Sequence, residues 1–154
     1  MKYTSTREDK ELLNFKQVTL KGLASDGGLY VPKNWKQHNL KFSNMDITFE
    51  KTAYEIIKYF VGKNLDNQLL KKLISRSYKS FRNKEITTLK QLDKNNYILE
   101  LYHGPTLAFK DIALQFLGNA FEVFLKKEKK KLTIVGATSG DTGSAAIDAV
   151  KNNL

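Results

Sequence analysis

The sequence predicts an α/β protein in which a small N-terminal helical domain, residues 1–85, precedes the truncated start of an α/β domain, residues 86–154. Three observations carry that prediction. Apolar residues recur at helical spacing between Phe49 and Phe81. From about Ile86 two short β-type runs flank a polar turn. The last third then reads as helix, apolar strand, glycine-rich turn and helix, half of a βαβ unit.

Taken in order, residues 14–22 form a short helix closed by Gly22, a natural left-handed cap. Asp26 to Pro32, DGGLYVP, pairs a glycine turn with a Leu-Tyr-Val run that Pro32 forces to be extended. Residues 33–47 read as loop. Phe49, Ala53, Ile56, Ile57, Phe60 and Val61 define an amphipathic helix stopped by Gly62. Asp66 then caps a second helix with Leu69, Leu70, Leu73, Ile74 and Phe81 on one face. Thr87–Leu92 and Tyr97–Tyr102 are strands around Asp-Lys-Asn-Asn. A long helix over about 110–127 precedes Leu132–Ala137, LTIVGA, whose apolar character on both faces predicts a central strand with a neighbour on each side. Left without neighbours, that run would expose unpaired backbone and apolar side chains.

Composition removes several function classes. With 41% hydrophobic and 27% charged residues, the 154-residue chain has the make-up of a folded globular domain. No apolar run approaches the roughly 20 residues that span a bilayer, and the polar N-terminus lacks the apolar core of a signal peptide. Cysteine is absent, which excludes disulfides and thiolate chemistry and suits a cytoplasmic setting. His38 and His103 are the only histidines, so no metal site is expected. The net charge of +10 invites a nucleic-acid reading, yet of 26 basic residues only Arg7, Arg76 and Arg82 carry the guanidinium fork suited to phosphates and bases. The lysines are spread along the chain, so nucleic acid is not an expected partner.

Two motifs carry chemistry. Thr106-Leu107-Ala108-Phe109-Lys110-Asp111 puts a lysine beside apolar neighbours at a helix start, and both features favour the neutral amine that attacks carbonyls. On residue types alone the plainer reading is favoured, in which Lys110 simply borders a polar stripe of Asp111, Gln115, Glu122 and Lys126. The second motif is Gly136 to Ala146, GATSGDTGSAA. Glycines between strand and helix let backbone N–H groups converge on a small anion such as a carboxylate, with hydroxyls from Ser139, Thr142 and Ser144. Asp141 or Thr142 suits the N-cap position. The motif lacks the lysine of a Walker A loop and the first glycine of GxGxxG. A plain strand-to-helix turn with a good cap accounts for it as well.

Together with Tyr3–Arg7 (YTSTR) and Gly22–Pro32 (GLASDGGLYVP), the segments LYHGPTLAFKDIALQ (Leu101–Gln115) and GATSGDTGSAA resemble the threonine synthase family, in the family's order and over nearly the whole chain. The resemblance implies a fold-type II pyridoxal-phosphate enzyme. It implies that Lys110 binds pyridoxal 5'-phosphate as a Schiff base and shuttles protons between Cα and Cβ of O-phosphohomoserine, which loses phosphate and gains water to give threonine. It implies that Ser139, Gly140, Asp141, Thr142 and Gly143 cradle the substrate carboxylate beneath the cofactor. Asp141 stands where related fold-type II enzymes carry Asn, which favours threonine synthase over dehydratases and cysteine synthases. Phe109 and Asp111 match flanking positions of structural or orienting character. Glu8 departs from the Gly of many relatives.

Members of that family continue through a second glycine-rich loop for the cofactor phosphate, a partner for the pyridine nitrogen and most of the sheet. Nothing after Gly143 matches those parts. The expectation is therefore an incomplete catalytic site, inactive alone, with a complementing C-terminal chain as a possible partner. The alternative is a non-catalytic remnant acting at most as a folding or interaction module.

Overall fold

The computed structural model describes residues 1–35 and 47–151 and divides into two compact units, Met1–Lys71 and Lys72–Leu154. Most of the loop expected over 33–47 lies outside the described residues.

The first unit opens with a two-stranded antiparallel ribbon. Strand β1 (Tyr3–Ser5) pairs with β2 (Tyr30–Pro32), Tyr3 facing Pro32 and Ser5 facing Tyr30. The two N-terminal motifs are one construction. Asp26 accepts hydrogen bonds from Ser5 Oγ and Gly28 N at 2.8 Å and from Asp9 N at 2.7 Å. Arg7 Nη1 donates to the Asp26 carbonyl at 2.8 Å. The Asp9 N–H, helped by Gly28 N–H and the Ser5 hydroxyl, holds the Asp26 carboxyl down at about 2. Only glycine fits at 28, because a Cβ there would stand 2.1 Å from Ser5 Oγ.

Helix α1 (Phe15–Lys21) starts at a reciprocal cap in which Asn14 accepts from Gln17 N and Gln17 accepts from Asn14 N. It stops at Gly22, φ 76°. Helix α2 (Phe49–Val61) is capped by Thr48 and stops at Gly62, φ 54°, as the sequence anticipates. A 3-10 turn (Gly62–Asn64) follows, and α2 packs on α1 and on that turn. Tyr3, Leu13, Ala24, Val61, Leu65 and Leu70 are buried. The Tyr3 hydroxyl donates to Phe60 O at 2.7 Å, and burial pushes its phenol up to about 12.

Helix α3 (Asn67–Tyr78) is capped by Asp66, whose carboxylate accepts from Leu69 N at 2.8 Å. It ends before Phe81, which the sequence placed on its apolar face. Phe81 instead sits in the turn beyond, edge-on to Tyr78 at 5.4 Å. An aromatic three residues past a helix end keeps its contact without helical backbone.

In the second unit β3 (Thr88–Gln91) and β4 (Tyr97–Glu100) form an antiparallel hairpin, with Thr88 opposite Glu100 and Gln91 opposite Tyr97. Its turn is held by Asp93, whose Oδ1 accepts from Asn95 N and Asn96 N at 3.0 Å. Helix α4 (Asp111–Glu128) carries the core, with Ala120 and Phe124 fully buried, and α5 (Asp141–Val150) packs on it through buried Ala145 and Ala149. Gly118 makes that approach possible, since a Cβ there would lie 2.4 Å from Ala149 O. Polar groups inside are paired: Gln115 Nε2 donates to Asp148 at 2.8 Å, and Asn119 Nδ2 donates to Gln115 O at 2.8 Å and Ser77 Oγ at 3.2 Å. The Tyr78 hydroxyl donates to Ile112 O at 3.0 Å.

Leu132–Ala137 is not a strand. No ladder forms on it among the described residues, and Val135 is 91% exposed. The apolar run has the side chains of a central strand, but a strand exists only through hydrogen bonds to another, and none is placed beside it here.

Candidate functional site

The segment before α4 is a tight turn built around a hidden carboxylate. Asp111, first residue of the helix, has no exposed surface. Its Oδ2 accepts from Thr106 N and its Oδ1 from Thr106 Oγ1, both at 2.8 Å. Gly104 backs onto the carboxylate so closely that a Cβ would meet Asp111 Cβ and Oδ2 at 2.4 Å. Between them Leu107 adopts φ 63°, a left-handed conformation costly for a leucine. Leu107 N bonds Gly104 O, Asp111 N bonds Ala108 O and Ile112 N bonds Phe109 O, so the chain enters the helix already wound.

Lys110 occupies the N-cap position in helical conformation, and its carbonyl accepts from Leu114 N at 2.9 Å. Its amine lies 4.6 Å from the centre of the Phe109 ring and forms no ion pair among the described residues. The polar stripe it was expected to border is committed elsewhere. Asp111 and Gln115 are buried in the bonds above. Glu122 pairs with Lys126 and with Arg76, the latter at 2.6 Å, and the Lys126 hydrogen bond leads in holding its carboxyl below the usual range. The apolar enclosure anticipated for Lys110 is partial: Ala108 is buried, whereas Leu107 and Phe109 are more than half exposed.

The second motif folds as a loop into α5, but its cap differs from the expected one. Gly140, at φ 145°, takes the N-cap position, and Asp141 and Thr142 fall inside the first turn. The capping oxygen belongs to Thr138, whose Oγ1 accepts from Gly140 N and Gly143 N at 3.0 Å each. Asp141 and Thr142 lose the role because only glycine tolerates the φ at which this helix begins. Thr138 is the capping residue that sequence reasoning missed. Its signal was present, a hydroxyl five residues before a glycine in the first turn, but Ser139, Thr142 and Ser144 drew the attention. Ser144 Oγ instead bonds back to Gly140 O at 3.1 Å.

Gly140 and Gly143 thus have their N–H groups engaged, while those of Ser139, Asp141 and Thr142 make no bond to other described residues. Ser139, Asp141 and Thr142 are exposed, with free N–H donors at a positive helix end. Helices α4 and α5 are joined at Gln115–Asp148 and Gly118–Ala149, and no hydrogen bond links Lys110 to the loop among the described residues. Nor do the described residues hold a cluster of three side chains that could bind a metal, or a helix long and apolar enough to cross a membrane.

These elements define a mixed α/β segment with a lysine presented at one helix start and a glycine loop at another. The same segment occurs in solved structures. A PLP-bound threonine synthase from Brucella melitensis superposes with a TM-score of 0.88 at 39% identity, over 97% of this chain and 33% of that one. The threonine synthase from yeast does so with a TM-score of 0.88 at 42% identity, over 97% and 33%. A threonine synthase from Pseudomonas aeruginosa is 44% identical over 98% of this chain and 33% of its own length. The family model described as the threonine synthase N terminus matches residues 2–78. The chain belongs to the threonine synthase family. It spans about a third of the length of the curated relatives it matches.

Proposed function

We propose that this chain contributes the lysine turn and the substrate-carboxylate loop of a threonine synthase active site, which converts O-phosphohomoserine and water to threonine and phosphate. What carries the reading is Lys110: an amine at a helix start, on a turn held by buried hydrogen bonds, and without an ion-pair partner among the described residues. Such an amine suits the aldehyde of pyridoxal phosphate, which has no use for a lysine locked to a carboxylate. Pyridoxal phosphate, when bound, supplies a pyridinium electron sink for carbanion chemistry.

The chain's own residues then have separate tasks. Lys110 holds the cofactor and accepts or returns a proton at its Nζ. The free N–H groups of Ser139, Asp141 and Thr142, at the positive end of α5, receive the substrate carboxylate. Gly140 and Gly143 shape the loop, with their N–H groups tied to Thr138. Asp141, exposed at the first position of α5, would with Lys110 help to bind the cofactor. On this reading residues 1–85 form the N-terminal domain and 86–154 begin the catalytic domain, in a cytoplasmic enzyme; the match of the family model to residues 2–78 supports the first of these.

Relatives run about three times longer, so the activity is proposed for these residues together with the remaining portion found in relatives. A chimaera tests it: this chain replaces the matching first third of the Pseudomonas aeruginosa relative, and phosphate release from O-phosphohomoserine is measured. The expected result is turnover that Lys110→Ala abolishes. A folded chimaera with no turnover, or one indifferent to Lys110→Ala, overturns the proposal in favour of a non-catalytic folding or interaction module.

A further inference from the structure

We propose that Asp111 is the positioning residue for the Lys110 amine, and that it works through Thr106. The inference rests on the reading of Lys110 as the cofactor lysine. A carboxylate with no exposed surface is retained in a protein only where hydrogen bonds replace its water, and here both oxygens are supplied by one residue, Thr106. Thr106 stands five positions earlier, so the pair of bonds spans Leu107, Ala108, Phe109 and Lys110 and closes them into a ring. The left-handed Leu107 inside that ring persists because the surrounding bonds over-determine the turn. Gly104 completes the seat by leaving the carboxylate nowhere else to go.

Among the described residues, Lys110 itself is anchored only through its backbone and its own neighbour's ring. The direction in which its side chain leaves the helix is therefore set by the backbone that the Asp111–Thr106 ring holds. A purely structural account is available: an acidic residue in the first turn stabilises any helix through the macrodipole. That account depends on the charge of Asp111 and is indifferent to the Thr106 hydroxyl. The two accounts separate at Thr106.

The test uses the chimaera of this chain with the remaining portion of the Pseudomonas aeruginosa relative, pyridoxal phosphate with borohydride trapping, and peptide mapping of the labelled lysines. The reading is the label on Lys110 relative to exposed Lys127 and Lys131, with helicity followed by circular dichroism. The unsubstituted chimaera and Thr106→Ser, which keeps both bonds, are expected to favour Lys110 alike. Thr106→Val keeps the charge and the N–H bond but loses the hydroxyl bond, and is expected to lower the Lys110 preference about tenfold with helicity unchanged, the effect of losing one charge-assisted bond. Asp111→Asn is expected to lower it at least as far; should that variant unfold, the Thr106 pair decides. Equal Lys110 preference in the unsubstituted chimaera and Thr106→Val overturns the positioning role and leaves the lysine assignment standing. No Lys110 preference in the folded, unsubstituted chimaera overturns the lysine assignment, and the positioning role with it.

Discussion

The turn before α4 and the loop before α5 perform the same structural task, starting a helix, with opposite means. The first uses a carboxylate sealed from water and bonded twice to one threonine. The second uses an exposed hydroxyl that gathers two glycine N–H groups. Buried bonds face no competition from solvent, and breaking one leaves an unsatisfied charge or donor. Exposed bonds exchange with water at little cost. The lysine turn is therefore rigid by its own construction, whereas the glycine loop keeps free donors and the latitude to shift onto an anion.

The strongest blow to this contrast falls at Gly104. Gly104→Ala drives a methyl group into Asp111, and a loss of about 3 kcal/mol in denaturant unfolding is expected, the upper part of the range for overpacking. A loss below half that figure would mean the seat is soft and the contrast false. Next comes Thr138→Val, expected to cost about 1 kcal/mol, as the removal of a side-chain helix cap does. Its signature is faster amide exchange at Gly140 and Gly143 while Thr106 stays protected. The smallest effect sharpens the comparison from the other unit, where Asp26 builds the same carboxylate clamp in partial contact with water. Its carboxyl is lowered from 3.8 to about 2, first by the Asp9 N–H, so it adds stability above pH 4 that is lost as pH falls toward 2. Melting curves between pH 5 and 2 should show that slope, and Asp26→Asn should flatten it.

Much of this was legible in the chain. Gly22, Gly62 and Asp66 mark helix ends because φ and capping preferences are properties of single residues. The hairpin over 88–100 was legible because its pairing is local. Lys110 at a helix start was legible from the motif, and so was the α/β class. What escaped depended on partners. Leu132–Ala137 has strand chemistry but no ladder, since pairing belongs to two segments and no second one pairs with it among the described residues. Phe81 left its helix because an aromatic contact survives the end of helical backbone. Asp141 and Thr142 lost the cap to Thr138 because the φ of Gly140 decides where the first turn begins, and no composition rule reports a φ. The bonds from Thr106 to Asp111 were equally hidden: two residues inside a quoted motif, with nothing in their order to show that one closes a ring on the other.

Gly118 has a further consequence. The helices that bear the lysine and the glycine loop meet at a residue without a side chain, against a backbone carbonyl that cannot yield. That contact behaves like a gauge block between two machine parts. Any larger residue at position 118 would leave every reactive group chemically intact and alter only the spacing at which the two helices are mounted.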